Sequence, residues 1–553
     1  MSDSRSPSAW LAAQRHAQVY NETVRYCNQS GRRKGSAAVY LEPWHADVWQ
    51  FCELRRNVGA ETERCRDLFL ALYVPDEFMR RVLAKEDWYL MCPKACPGLQ
   101  DAHGAAFSEL YNRYVAEGRY KEKVPALDLW THMMKCQFET GVPYVVFKDH
   151  VNAKSNHANV GTVRCSNLCA EVVQYSDDAT YAVCNLASIA VSRFVLPAAA
   201  AGGGGGDALA RVDFAGLHAA ARMVARNLDR VIDINYYPTP ETRRSNMDMR
   251  PVGIGIQGLA DLLCQLRVPF ESALAVRIDA EVMEAIYHGA LEASVELAEE
   301  RGPYPRFAGS PFSRGETQAE LWRLPDAERS GRWDWAALRA RLAASGARNS
   351  MLTALMPTAS TSQILGNAES FEPYHSNVFK RTTLAGEHMV VNRHLQRDLI
   401  ALGLWDEGMR RQILASDGSV QGIAAIPAAL RDVYKTAWEV QQRAVLDHAL
   451  ARGPYVDQSQ SMNLFMAVPD FQRLSSALIY GWARGIKTGL YYLRSKPAAE
   501  AIKFGLLTNS VAQAAQAPPP AAVAQQAAQA AAEEPAAGAA CSRDNPGCES
   551  CGA

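Results

Sequence analysis

The stretch GTVRCSNLCAEVVQYS holds the residues best equipped for chemistry. Successive side chains of an extended strand point to opposite faces. Read that way, Asn167, Cys169 and Glu171 share one face, an amide, a thiol and a carboxylate in a row, with Cys165 beside them. A thiol alone is more often a small buried hydrophobe than a reactive group. A buried Glu and Asn, however, need polar partners, and a ligand site supplies them; spacing leaves both readings open. Cys184, in AVCNLASIAV, reads by itself as a core thiol.

Three other stretches carry potential chemistry. In LMPTASTSQILG the hydroxyls of Thr358, Ser360, Thr361 and Ser362 crowd around Ala359 ahead of a segment that can start a helix. Hydroxyls and unpaired backbone N–H groups at a helix start suit an anion, although an ordinary N-cap needs only one or two of them. In GIKTGLYYLRSKP, Tyr491 and Tyr492 are adjacent, a pairing more common in cores and interfaces than in redox work. The last thirteen residues hold Cys541, Cys548 and Cys551. A zinc knuckle normally takes four ligands, and this tail offers three cysteines and no histidine. Cys92 and Cys96 would complete a set only by docking the tail on the body, so no metal site is expected.

The elements that must position these residues alternate between short apolar runs and long amphipathic segments, which favours α/β architecture. Helices are predicted over ALARVDFAGLHAAARMVARNLDRVIDI, ending before NYYP, and over EVMEAIYHGALEASVELAEERG, ending at Gly302 and Pro303. The run Gly202–Gly206 reads as a flexible surface insertion. RPVGIGIQGLADLL carries the GxGxxG spacing at Gly253, Gly255 and Gly258, but no convincing strand precedes it and no ribose-binding acid follows. Close backbone packing at a helix entry accounts for it better than a dinucleotide. From about 507 to 540 the chain is Ala, Gln and Pro without an aromatic residue, which cannot bury a core and is expected to be disordered. A linker of about 30 residues reaches on the order of 30 Å, so its tip can dock and leave.

The 553 residues are 48% apolar and 21% charged with a formal net charge of −1, ordinary for a globular chain and unsuited to a polyanionic partner such as nucleic acid. No apolar run approaches the roughly 20 residues of a membrane helix, and MSDSRSPSAWLAAQRH has no apolar signal core. Thirteen cysteines without a secretory signal point to a reducing, cytoplasmic setting.

Taken together, VYLEPWHADVW, LMCPKACPGL, RCSNLCAEVV, AVCNLAS, DINYYPTPE, PTASTSQILGNAESFEPY, DQSQSMNLF, GWARGIKTGLYYLR and the terminal CESCGA resemble, in order, the large (catalytic) subunit of eukaryotic-type class I ribonucleotide reductases. The resemblance implies a ten-stranded α/β barrel with a central finger loop, a helical C-terminal part and a disordered Cys-bearing tail. It divides the chain into a poorly ordered 1–16, barrel domain 17–506, linker 507–540 and redox tail 541–553. It implies reduction of ribonucleoside diphosphates to 2′-deoxyribonucleoside diphosphates, with Cys169 as the thiyl residue, Glu171 as the base for the 3′-hydroxyl and Asn167 as the sugar's hydrogen-bonding partner. Cys184 matches one member of the internal redox pair, Thr358, Ala359, Ser360 and Thr361 the diphosphate loop, and Tyr491 and Tyr492 the radical relay. Cys548 and Cys551 match the tail dithiol that exchanges with the internal disulfide and passes oxidation to thioredoxin or glutaredoxin; Cys541 also has a counterpart in related tails.

No covalently bound cofactor is implied. A metal-containing small subunit supplies the radical, nucleoside triphosphates act as effectors, and the full-length form is a homodimer. Against the family pattern, the chain starts near the effector-to-substrate loop, with NQSGRRKGSA in that place, and the barrel is expected to be incomplete on its N-terminal side. The ATP/dATP cone, the upstream serines and the second redox cysteine have no counterpart; Cys27 is nearest to that gap but lies in the effector-loop region. The alternative is a catalytically silent fragment or paralogue that serves as a binding or regulatory subunit.

Overall fold

The computed structural model describes residues 7–27, 35–197, 208–383 and 386–496. The cysteine tail, the linker, the glycine insertion at 202–206 and most of NQSGRRKGSA therefore lie outside the described residues. A helix, Pro7–Tyr26, begins within the first sixteen residues.

The described residues form two units, one comprising residues up to His375 together with Ala437–Ser495, the other Ser376–Thr436 with Lys496. The larger unit is mixed α/β. Its main sheet runs Ala37–Leu41, Leu68–Val74, Tyr144–Phe147, Thr488–Leu490. The first three strands are parallel, Val39 opposite Leu70 and Leu72 opposite Val145, and the last is antiparallel, Thr488 opposite Val146. Leu68–Val74 reads LFLALYV and is buried at all but one position, the continuous apolar run of a strand covered on both faces. Two further parallel pairs are Leu186–Ala190 with Gly253–Gln257, beginning two residues after Cys184, and Leu464–Met466 with Leu493–Ser495, beginning directly after Tyr492. The smaller unit contains the antiparallel hairpin Val378–Thr383 and Gly386–Val391 and three short helices, Arg393–Ala401, Glu407–Ala415 and Ala428–Val433.

Both predicted helices form. The first begins as a 3₁₀ turn, Ala208–Arg211, and restarts as Phe214–Ile234, because the Asp213 carboxylate accepts from Gly216 N and caps the new start. The second runs Ala273–Arg301, beginning earlier than the sequence suggests, where the Ser272 hydroxyl caps Ala275 N, and it ends at Gly302 with φ +81°. Among the described residues no helix is long and apolar enough to cross a membrane.

The glycine motif differs from its sequence reading. Gly253 and Gly255 lie within a buried strand, and only Gly258, at φ +77°, caps the helix Leu259–Leu266. Five residues with two glycines carry little strand propensity of their own; neighbours on both sides impose the conformation. Close packing does explain the glycines, since a Cβ on Gly253 would meet Leu186 Cδ2 at 2.5 Å and one on Gly255 Met356 Sδ at 2.5 Å and Ala354 O at 2.9 Å. Gly255→Val is therefore expected to destabilise the fold by about 1–3 kcal/mol through overpacking, as read by urea unfolding; an unchanged midpoint would show that the strand can move aside.

Candidate active site

The strand expected around Cys169 does not form. Residues 161–185 contain no regular strand, and the chain makes a turn at 168–170 with Ala170 at φ +62°. Asn167 makes this turn locally favourable. Its Oδ1 accepts from Glu171 N and Val172 N at 3.1 Å each, and its backbone carbonyl accepts from Ala170 N at 3.3 Å. The period-two argument is thus corrected. A left-handed residue between Cys169 and Glu171 breaks alternation, and Asn167 spends its side-chain oxygen on the turn, leaving its Nδ2 donors for a ligand.

Long-range hydrogen bonds hold the turn at four carbonyls. Asn167 O accepts from Tyr40 OH at 2.7 Å, Cys169 O from Ser461 Oγ at 2.7 Å, Ala170 O from Thr488 Oγ1 at 2.7 Å, and Glu171 O from Ser459 N at 2.8 Å. A non-glycine residue in the left-handed region persists where its surroundings over-determine it, and four such bonds do so. Ser461 Oγ also lies 3.2 Å from Glu171 Oε2.

Cys169, 7% exposed, packs in a cluster with Tyr73, Tyr144 and Tyr491, with Tyr40, Phe69 and Tyr492 against its edge. The Tyr491 and Tyr492 rings are 4.4 Å apart between centroids, and Tyr144 lies 4.8 Å from the first and 5.1 Å from the second. The Arg494 guanidinium sits 4.7 Å above the Tyr492 ring. The Tyr491 N–H donates to the Met462 carbonyl (2.8 Å) and the Tyr492 N–H to the Asn463 side-chain Oδ1 (3.1 Å), fixing the pair to the segment that also supplies Ser459 and Ser461.

Cys184 is reached by solvent yet surrounded by protein. That enclosure, with the nearby Glu171 carboxylate adding to it, pushes its thiol up to about 12, so it keeps its proton at neutral pH. Cys165, also solvent-reached, has its thiol pushed up by enclosure and partly pulled back by Arg164. Burial likewise pushes the Tyr40 phenol well above its usual range, with Cys165, Glu171 and Cys169 contributing.

The hydroxyl loop is more selective than its sequence suggests. Thr358, at φ +57°, is buried, and its Oγ1 accepts from Ser370 N at 2.8 Å; Ser362 is buried too. Ser360 is exposed, and Thr361 and Ala359 are half-buried, so Ser360 and Thr361 are the hydroxyls open to a ligand. The helix that follows is one short turn, Thr361–Leu365. The loop hangs on the same segment as the turn, since Leu355 N donates to Ser459 O and Ser461 N to Leu355 O, at 3.0 and 2.9 Å. Sequence reading assigned no role to Tyr40, Tyr144, Ser459 or Ser461. The two serines lay within DQSQSMNLF; Tyr144, in GVPYVVF, carried no signal.

A family model for the ribonucleotide reductase barrel domain matches residues 13–492. The chain belongs to the ribonucleotide reductase family. It is 48% identical over 500 residues to the ribonucleoside-diphosphate reductase large subunit of Caenorhabditis elegans, covering 90% of this chain and 62% of that protein. It is 47% identical over 544 residues to the large subunit of Arabidopsis thaliana, covering 97% and 66%. The chain thus spans less than two thirds of the length of these relatives. In fold it is similar to the class Id ribonucleotide reductase alpha subunit of Actinobacillus ureae, with a TM-score of 0.60 at 23% identity over 83% of this chain and 71% of that one.

Proposed function

We propose that the chain is a catalytic ribonucleotide reductase subunit that converts ribonucleoside diphosphates to 2′-deoxyribonucleoside diphosphates. The observation that carries this reading is the over-determined turn, which sets the Cys169 thiol in one packed cluster with Tyr491 while Glu171 shares a hydroxyl partner with Cys169. A metal-containing small subunit supplies the oxidising equivalent, which travels through Tyr492 and Tyr491 to Cys169. The Cys169 thiyl takes the 3′ hydrogen atom of the ribose and Glu171 takes the 3′-hydroxyl proton. The 2′-hydroxyl takes up a proton and leaves as water while two thiols, Cys184 and a second one that dithiothreitol or the upstream strands of a full-length relative must provide, give up two electrons and close a disulfide, and the Cys169 S–H returns its hydrogen to C3′. A Cys184 thiol held protonated suits a donor that gives a proton with its electrons.

Asn167 Nδ2 orients the sugar, and Ser360, Thr361 and the N–H groups of residues 358–361 receive the diphosphate, with Thr358 shaping the loop from within. Cys548 and Cys551 reduce the internal disulfide and are themselves reduced by thioredoxin or glutaredoxin. The setting is the cytoplasm, and nucleoside triphosphate effectors and a homodimer belong to the full-length assembly.

The test is formation of dCDP from CDP with an added small subunit and dithiothreitol. Product is expected once dithiothreitol or the upstream strands of a full-length relative provide the second thiol, and Glu171→Gln should then lower kcat by about 10²–10⁴-fold, the usual contribution of a general base. Failure to form product, including when the complex is supplied with the upstream strands of a full-length relative, would instead favour a binding or regulatory subunit.

A further inference from the structure

The segment 457–463, DQSQSMN, reaches both halves of the site. Gln458 Oε1 accepts from Val173 N (3.3 Å) and Gln174 Nε2 (3.2 Å), Ser459 N donates to Glu171 O, and Asn463 Oδ1 accepts from Tyr492 N. Within it Ser461, 2% exposed, touches the two reacting residues at once, with Oγ 2.7 Å from Cys169 O and 3.2 Å from Glu171 Oε2.

A serine hydroxyl has one proton and two lone pairs. A backbone carbonyl only accepts, and the bond to it is the shorter by 0.5 Å, so the proton lies on the Cys169 side. The lone pairs of Ser461 Oγ then face Glu171 Oε2. Against an ionised carboxylate that contact sets two acceptors together; against a protonated one it is a hydrogen bond donated by Glu171. The arrangement favours the state in which Glu171 holds a proton, and it selects the oxygen that holds it.

We propose that Ser461 is a positioning residue for the acid–base step, accepting a hydrogen bond from the proton that Glu171 takes on Oε2 and anchoring the Cys169 turn through the same hydroxyl. This rests on the reductase reading above. In the forward step the substrate 3′ O–H bond breaks and an O–H bond forms at Glu171 Oε2; the return step reverses both, and Ser461 keeps its own proton throughout. Other titratable groups share the field of Glu171. Among them the Tyr40 phenol, pushed well above its usual range, and the Cys184 thiol, raised to about 12, titrate far above an acidic limb.

The sign follows. Removing an acceptor for the protonated form makes Glu171 easier to deprotonate, so the acidic limb of the pH profile moves down. Ser461→Ala is expected to shift the acidic limb of kcat/KM by about one pH unit to lower pH, the size of one hydrogen bond, and Ser461→Thr, which keeps the hydroxyl, to restore it. A limb that stays in place in Ser461→Ala, or moves to higher pH as it would if Ser461 donated to the carboxylate, overturns the assignment. The same titration followed by infrared difference spectroscopy of the carboxylic-acid carbonyl band, identified by its loss in Glu171→Gln, needs no turnover. A downward shift there with no dCDP formed even when the upstream strands of a full-length relative are supplied would uphold Ser461 and sink the reductase reading; normal turnover with an unshifted band would do the reverse. If Ser461→Ala does not fold, the Thr variant and Ser461→Cys carry the test, the weaker thiol acceptor giving a smaller downward shift; no shift in the Cys variant overturns the proposal.

Discussion

Cys169→Ser is expected to abolish deoxynucleotide formation, by at least about 10⁴-fold, while the protein stays folded. Losses of that size follow removal of a residue that forms or carries the reactive species. The substitution keeps size and backbone but exchanges a weak S–H bond for a strong O–H bond, so a neighbouring tyrosyl cannot oxidise it and hydrogen transfer with the sugar is no longer near balance. The bonds that define the turn run to backbone atoms and survive the change, Cys169 O to Ser461, Ala170 O to Thr488 and Asn167 O to Tyr40. The serine hydroxyl enters a largely apolar cluster, and if it finds no partner there it costs about 1–3 kcal/mol. Assay of dCDP formation beside circular dichroism and urea unfolding separates the two effects. Residual activity within tenfold of the parent would remove Cys169 from the mechanism.

Arg452→Met is expected to be the most destabilising single substitution considered, by about 3–5 kcal/mol, the range for breaking a buried ion pair at one end. Arg452 is fully buried, donates Nη1 to Asp279 Oδ2 at 2.6 Å and Nε to Gln460 Oε1 at 2.7 Å, and lies 3.9 Å over the Phe371 ring. His448 contacts the same Asp279 oxygen at 2.7 Å. Burial alone would push the Asp279 carboxyl up; Arg452, together with His448, outweighs it and holds the group below its ordinary value. A depressed folded-state value means that this stabilisation is complete above the unfolded carboxylate value of about 4 and is lost as pH falls through the folded one. The substitution should therefore cost most at neutral pH and progressively less in acid, which urea unfolding at several pH values would read. A cost under 1 kcal/mol at pH 7 would show that His448 compensates for the arginine. Because Gln460 adjoins Ser461, the variant should also lose activity at temperatures where it is still folded.

Much of the candidate site was legible in the residues. Cys169, Glu171 and Asn167 lie within five positions, and a resemblance running in order along nearly the whole chain singled out them and Tyr491 and Tyr492 as candidates; the family match over residues 13–492 agrees with the likeness to the family. The two long helices were legible because amphipathic periodicity over more than twenty residues is a strong local signal. What failed was local. The strand drawn through Cys169 assumed alternation, and the left-handed conformation at Ala170 has no signature in an alanine. The strand at Gly253 was missed because its conformation is imposed by pairing with Leu186–Ala190 on one side and hydrogen bonds to Leu352 and Ala354 on the other rather than by its own residues.

The sequence by itself determined which groups are present: a thiol, a carboxylate, an amide, paired phenols and a hydroxyl-rich loop, each a matter of residue type and order. The tertiary structure decided how they are used. It spent the Asn167 oxygen on the turn, turned Thr358 and Ser362 inward, set Tyr144 of the main sheet against both paired phenols, and brought Ser461 across 292 positions to Cys169 and 290 to Glu171. The reason is physical. Residue type fixes what a side chain can donate, accept or give up, whereas its partner is set by contacts between elements far apart in the chain, and no local pattern records those.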